Sequence, residues 1–171
     1  MLVSKKIKKS WGSRVKSLFS YLIIFVIIGW GIDMWRSQSL ASGMAPTLSE
    51  ISVQGELIDL HQMSQDKPVL VYFWATWCSV CRAVSPSVEM VDGYYQVLSV
   101  ALNSGTDQRI QQYLKHKEYD FSVINDPKGM IGREWGIAVT PTLFVIHQGE
   151  ITSVTTGFTS PFGIWLRLFF S

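Results

Sequence analysis

An unbroken apolar run, Val69-Leu70-Val71-Tyr72-Phe73-Trp74, leads within four residues into Cys78-Ser79-Val80-Cys81. These are the only two cysteines among 171 residues. The run is rich in β-branched and aromatic residues and reads as a buried strand, and a helical pattern begins directly after Cys78. A strand that delivers Cys-x-x-Cys to the mouth of a helix is a redox arrangement. The first sulfur meets unpaired backbone N–H groups and the positive end of the helix dipole, which favour a thiolate. The second lies one turn further on the same face, within reach of a disulfide.

Other uses of a cysteine pair fit less well. A structural zinc site needs about four ligands. No second pair exists, and His61, His116 and His147 are scattered without ligand spacing. A purely structural disulfide usually closes a longer loop, where the entropic gain is larger. The expectation is a redox-active pair with no metal and no cofactor beyond the cysteines themselves.

Charge is unevenly distributed. Lys5, Lys6, Lys8, Lys9, Arg14 and Lys16 precede residue 17, and no acid appears before Asp33, so the rest of the chain is mildly acidic. The basic balance therefore belongs to the N-terminal tail. No interleaving of aromatic and basic residues suggests a nucleic-acid surface. Ser17 to Ile32 carries no charge and is dominated by Leu, Ile, Val and Phe. With Trp11, Trp30 and Trp35 at its margins and Lys16 and Arg36 outside it, the segment reads as a membrane anchor over residues 17–35. Residues 1–16 then form a cytoplasmic basic tail, residues 36–46 a linker, and residues 47–171 a domain on the far side of the membrane. A cleaved signal peptide is the competing reading, with Ser39-Leu40-Ala41 as its cleavage site. Asp33, Trp35 and Arg36 separate that site from the apolar run and favour the uncleaved anchor. Either way the cysteines reach an oxidising compartment.

Within the domain, Ile51 and Val53 alternate with polar residues before Gln54-Gly55, and Leu57 to Leu60 follows, giving a hairpin. Cys81, Val84, Val88 and Val91 recur at helical spacing, with Pro86 placed to kink that helix. Val97 to Leu102 reads as a buried strand. Thr106 to Lys117 reads as a helix capped by Thr106 or Ser104, with Ile110, Tyr113 and Leu114 inward. Phe121 to Ile124 is a short strand, and Asn125-Asp126-Pro127 turns into a helical segment ending near Gly136. Thr142 to Ile146 and Ile151 to Thr155 form a hairpin about Gln148-Gly149. Ser160-Pro161 opens a last helix packed through Phe162, Trp165, Leu166 and Phe169. The sum is an α/β fold with a mixed central sheet flanked by helices.

Trp74-Ala75-Thr76-Trp77-Cys78-Ser79-Val80-Cys81, the following Pro86, and Val139-Thr140-Pro141-Thr142 resemble the active-site, kinking-proline and cis-proline segments of thioredoxin-like proteins. Asp126, Gly129, Trp135-Gly136 and Pro141 resemble the membrane-anchored branch. That branch holds the TlpA, ResA and DsbE (cytochrome c maturation) proteins and the suppressor-of-copper-sensitivity (ScsD-like) relatives. The resemblance implies a thioredoxin-like fold with an N-terminal β-hairpin extension. It implies Cys78 as exposed nucleophile, Cys81 as resolving thiol and Pro141 in cis. It also implies that the backbone at Thr140 pairs with the substrate, and that Trp77 and Trp74 pack around the site. Partners implied are protein substrates with thiols or disulfides, a membrane electron donor of the DsbD/ScsB type, and the bacterial inner membrane, with the domain in the periplasm.

Four departures qualify the resemblance. Tyr72 stands where thioredoxins carry a buried acid. Val84 stands where some anchored reductases carry a glutamate, and Glu89 reads as a solvated charge, so proton transfer at Cys81 is left to water. Ser79-Val80 is neither the Gly-Pro of reducing thioredoxins nor the Pro-His of strong oxidants, which leaves the direction of electron flow open. No acid flanks Pro141, which counts against apocytochrome c as client. The expectation is a reductase nearest the suppressor-of-copper-sensitivity group. A cytochrome c maturation thioredoxin is the alternative, and a Cu(I)-handling or adhesion module on the same scaffold is the alternative of another class.

Overall fold

A computed structural model describes residues 43–171 and, ahead of them, Ser20, Tyr21 and Ile24. Those three apart, the expected basic tail (1–16), the anchor (17–35) and the linker up to residue 42 lie outside the described residues. Residues 43–171 fall in the second of two compact units, Ser39–Ser171. Among the described residues no helix is long and apolar enough to cross a membrane.

The elements in chain order are β1 (Ser49–Ile51), β2 (Leu57–Asp59), a helical turn α1 (Leu60–Met63), β3 (Val69–Trp74), α2 (Ser79–Asp92), β4 (Gln96–Leu102) and α3 (Asp107–Lys117). Then come β5 (Ser122–Asp126), α4 (Met130–Glu134), β6 (Thr142–His147), β7 (Glu150–Thr156) and α5 (Pro161–Phe169). Five strands form one mixed sheet in the order β5-β4-β3-β6-β7. All six residues of β3 are buried, as a continuous apolar strand requires. It pairs in parallel with β4, from Val69↔Gln96 to Trp74↔Ala101, and antiparallel with β6, from Val69↔Ile146 to Phe73↔Thr142.

Alternation along β3 divides the core in two. Leu70, Tyr72 and Trp74 join Val84, Val88 and Val91 of α2, Ile110 and Leu114 of α3, and Ile164 and Leu168 of α5. Val69, Val71 and Phe73 face the other way, onto Leu48, Ile58, Leu60 and Trp135. At about 1.5–3 kcal/mol for each fully buried large apolar side chain, these two clusters outweigh any local propensity in the elements that supply them.

The expected hairpin is present, and two other expectations need correction. The hairpin β1–β2 forms in the register Ser49↔Asp59 to Ile51↔Leu57, yet Ile51 and Leu57 point to solvent while Ile58 faces the core. The chain past β1 is held by the sheet edge instead. Val53 N–H donates to the Val123 carbonyl (2.7 Å), and the Gln54 amide bonds both Phe121 O and Val123 N–H. This covers the edge of β5, which would otherwise present unpaired groups. In α5, Ser160 caps the first turn through Gly163 N–H and Pro161 fixes the helical phase. That phase buries Ile164 and Leu168 and leaves Phe162, Trp165, Leu166 and Phe169 exposed. Glu89 is not merely solvated, since its carboxylate accepts the Asp120 N–H at 2.9 Å.

Asp92 ends α2, where the helix dipole disfavours negative charge and no basic residue occupies the last turn. Burial pushes its carboxyl up to about 6, helped by the charges of Glu89 and Asp120 and opposed by a hydrogen bond from Val97 N–H. The folded state thus binds this proton more tightly than the unfolded chain, so the site loses stability as pH rises from the ordinary carboxylate range through about 6. Asp92→Asn is expected to raise the urea midpoint at neutral pH and to lose that advantage at acidic pH, as read from denaturation curves across the range.

Candidate active site

Parallel pairing of β3 with β4, and antiparallel pairing with β6, brings three loops together at one end of the sheet. They are residues 75–78 after β3, Asn103 to Gly105 after β4, and Val139 to Pro141 before β6. Each carries part of the site.

Cys78 is the N-cap of α2, with extended backbone angles, and its Sγ accepts the Cys81 N–H at 3.1 Å. A sulfur in the cap position takes the role that Ser or Asp oxygens usually play there. The same N–H, with the helix dipole behind it, stabilises a thiolate when the pair is reduced. Cys78 and Cys81 are joined as a disulfide, with Cα atoms 5.2 Å apart. Cys78 is 7% exposed and Cys81 only 1%. Cys78 thus sits at the floor of a cleft, more accessible than Cys81 but not on an open surface. Trp77, Ser79, Val80, Leu102, Asn103 and the segment 137–140 line that cleft, and none of them carries a charge.

The Thr140-Pro141 peptide bond is cis. The Thr140 carbonyl oxygen lies 3.6 Å from Cys78 Sγ, and Thr142 Oγ1 donates to Val139 O at 2.8 Å, closing the loop on itself. Trp77 is 65% exposed and its indole N–H donates to Asn103 O at 3.2 Å. Trp74 is a core residue in the same buried cluster as Cys78 and Cys81, with its N–H on Ser99 Oγ. Of the residues singled out from sequence, Cys78, Trp77 and Thr140 line the cleft, Pro141 adjoins it, and Cys81 lies beneath.

Sequence reasoning did not single out Asn103, Val80 or Val139 for the site. Asn103 holds a left-handed backbone (φ 47°), and its amide donates to Pro127 O at 3.1 Å. This ties the loop after β4 to the turn after β5, and the signal was the Asn-Ser-Gly cluster following the strand. Ser104 does not cap α3, since Thr106 does. Ser104 Oγ accepts the Thr76 N–H at 3.0 Å and so braces the approach to Cys78.

Beneath the cysteines, the Tyr72 hydroxyl lies 3.0 Å from Ser85 Oγ, and the two hydroxyl oxygens lie 3.4 and 2.9 Å from the Cys81 carbonyl oxygen, within reach of the protons they share. Burial pushes the phenol well above its usual range, with the Ser85 hydrogen bond partly offsetting this, so Tyr72 stays neutral. Asp126, which is buried, accepts the N–H groups of Met130 (2.7 Å) and Gly132 (2.9 Å) and so caps α4 from outside it. Gly129 at the N-cap offers no side chain for that purpose. A Cβ on Gly132 would stand 2.9 Å from a Leu102 methyl, so the Leu102 side chain would have to shift to admit it. This is the physical content of the Asp126–Gly129–Trp135 spacing.

Comparison with known proteins follows the same lines. The sequence model of the AhpC/TSA family matches residues 42–154. The thioredoxin-like protein of Haemophilus influenzae is 39% identical over 168 residues, covering 97% of each chain. The thiol:disulfide interchange protein DsbE homolog of Paracoccus denitrificans is 28% identical over 123 residues, 69% of each chain. Among solved structures, the exposed lipoprotein thioredoxin of Streptococcus pneumoniae matches with a TM-score of 0.66 at 24% identity, covering 74% of this chain and 100% of that one. The last likeness speaks for the fold alone, which is thioredoxin-like.

Asp126→Ala strands two N–H groups at the start of α4 and is expected to cost on the order of 3 kcal/mol in urea unfolding. Asp126→Asn retains an acceptor oxygen and is expected to recover part of that loss in the same measurement.

Proposed function

The chain belongs to the AhpC/TSA family, and from that premise we propose how its cysteine pair is used. It is a thiol-disulfide oxidoreductase of the DsbE/ResA type. In our reading it works as a reductase of protein disulfides. The observation that carries the roles of the two cysteines is the asymmetry of their sulfurs. Cys78 Sγ takes a helix N-terminal N–H at the floor of an open cleft, and Cys81 is sealed behind it.

In the reduced enzyme the Cys78 thiolate attacks one sulfur of a client disulfide. The client S–S bond breaks, a Cys78–client bond forms, and the other client sulfur leaves as a thiolate that takes a proton. Cys81 gives up its proton and attacks Cys78 Sγ, releasing the second client thiol and closing the Cys78–Cys81 disulfide. Two electrons have passed from the pair to the client. The backbone at Thr140, beside the sulfur, is placed to pair with an extended client segment. The uncharged lining of the cleft favours apolar residues next to the client cysteine.

The same proposal takes residues 17–35 as an uncleaved single-pass anchor in the bacterial inner membrane, with the domain in the periplasm. The uncharged run and its basic flank support this. A reductase in an oxidising compartment needs electrons delivered to it, so the partner is a membrane donor of the DsbD/ScsB type. Within the family the resemblance favours the suppressor-of-copper-sensitivity relatives and a role in copper tolerance.

Two measurements test these roles. In intact cells, acid quenching and thiol alkylation with a mass tag is expected to find the pair mostly reduced; a mostly oxidised pair overturns the reductase direction. Cys81→Ser is expected to accumulate client proteins on Cys78 as mixed disulfides that dithiothreitol releases. If nothing is trapped and the wild type binds Cu(I), the pair is a metal site and the redox role fails.

A further inference from the structure

Asn103 is bonded on one side to the cleft and on the other to the turn after β5. Its carbonyl oxygen accepts the Trp77 indole N–H at 3.2 Å. An indole has no other polar atom, so this bond is the whole polar restraint on a ring that is 65% exposed. Trp77 directly precedes Cys78, and it is the one aromatic side chain among the described residues that line the cleft. Without the bond, so exposed a ring would be free to change rotamer beside the sulfur. The backbone next to it is braced separately, because Ser104 Oγ accepts the Thr76 N–H at 3.0 Å. Residues 103 and 104 thus divide the work: Ser104 holds the main chain approaching Cys78, and Asn103 holds the ring.

On its other side Asn103 is held twice. Its backbone N–H donates to Asp126 O at 3.0 Å, and its side-chain amide donates to Pro127 O at 3.1 Å. The turn that receives these bonds is itself anchored, since the buried Asp126 carboxylate takes the N–H groups of Met130 and Gly132. Gly129 leaves room for the amide, where a Cβ would stand 3.3 Å from Asn103 Oδ1. The left-handed backbone (φ 47°) sets the direction of the carbonyl that meets Trp77. Asparagine enters this region more readily than most residues and also brings the amide donor. Glycine would supply the backbone without the donor, aspartate would set a carboxylate against the Pro127 carbonyl, and alanine would supply neither.

We propose that Asn103 is a positioning residue for client binding: it fixes the Trp77 indole as a wall of the cleft, against which an apolar side chain beside the client cysteine packs. The inference rests on the reductase reading above. A wall held in place before the client arrives removes the entropy loss of ordering it on binding. That gain is open only to clients with a side chain to lay against the ring. Asn103 therefore favours peptide disulfides over small ones, while the Cys78 sulfur keeps its own support from the Cys81 N–H and from the Ser104 brace.

The test is the selectivity of the reduced full chain, in detergent, between two disulfides. One is a short peptide with leucine on both sides of its single cysteine, joined as the symmetrical disulfide. The other is hydroxyethyl disulfide, which carries no side chain to pack. In each reaction the Cys78–Cys81 pair is oxidised to its disulfide and the probe leaves as two thiols, which acid quenching and chromatography measure. Asn103→Ala is expected to lower the ratio of the peptide rate constant to the hydroxyethyl one about fivefold, the change that one net hydrogen bond corresponds to. Asn103→Gly, which keeps the left-handed backbone, is expected to recover part of that loss. In a Trp77→Phe background, which lacks the indole N–H, Asn103→Ala is expected to change the ratio little further. A wild type that does not reduce the peptide disulfide overturns the reductase reading and this inference with it. With the peptide reduced, three results overturn the inference alone: an unchanged ratio, equal losses on both disulfides, or the same fall in the ratio with and without the Trp77 indole. If Asn103→Ala shows no cooperative urea transition, Asn103→Gly replaces it in the Trp77→Phe cycle under the same criteria.

Discussion

The burial of β3 on both faces and along both edges is the constraint from which the site follows. Every residue of Val69–Trp74 is covered, and each edge is occupied by a partner in a fixed register. A slip of one residue would turn Tyr72 and Phe73 to opposite sides and exchange the two clusters. Because the register cannot slip, the chain must leave β3 where β4 ends in parallel and β6 begins antiparallel. Cys78, Asn103 and Thr140 are therefore neighbours by topology, before any contact among them is counted. The reactive sulfur is placed by the core.

Much of this was legible in the sequence because it follows strong patterns. A six-residue apolar run between polar loops has few other uses than a central strand. Cys81, Val84, Val88 and Val91 mark one helical face without ambiguity. Legibility failed where two phases were both plausible. In α5 nearly every position is apolar, so periodicity could not say whether Ile164 and Leu168 or Phe162 and Trp165 face inward; the cap at Ser160 and the packing on α2 decide it. At the hairpin, alternation marked Ile51 and Val53 alike, and the open edge of β5 separates them by capturing Val53 and Gln54. Asn103 was legible only as part of a turn cluster, for another reason. Its role depends on a left-handed backbone and on a carbonyl that Trp77 finds only in three dimensions.

The two ends of the sheet differ in chemistry. At the cysteine end, the loops expose backbone groups and small or branched side chains around one sulfur. At the other, Met90 and Tyr94 stand exposed at and just beyond the end of α2.

Tyr72 shows what the core under the cysteines has given up and kept. An ionised carboxylate at this depth would carry a desolvation cost of several kcal/mol unless paired, and no cation stands near enough among the described residues to bond the Tyr72 hydroxyl. A phenol in the same place is neutral, and its hydroxyl is satisfied by Ser85. The net worth of such a bond is about 1 kcal/mol, and leaving it unmade would cost more. The substitution therefore trades a buried charge that could exchange protons for a hydroxyl pair that cannot do so near neutral pH. The pair holds the Cys81 carbonyl from below while Cys78 accepts the Cys81 N–H from above. Cys81 is thus fixed on both sides of its backbone, and its proton must travel along a path that does not include an acidic side chain at position 72.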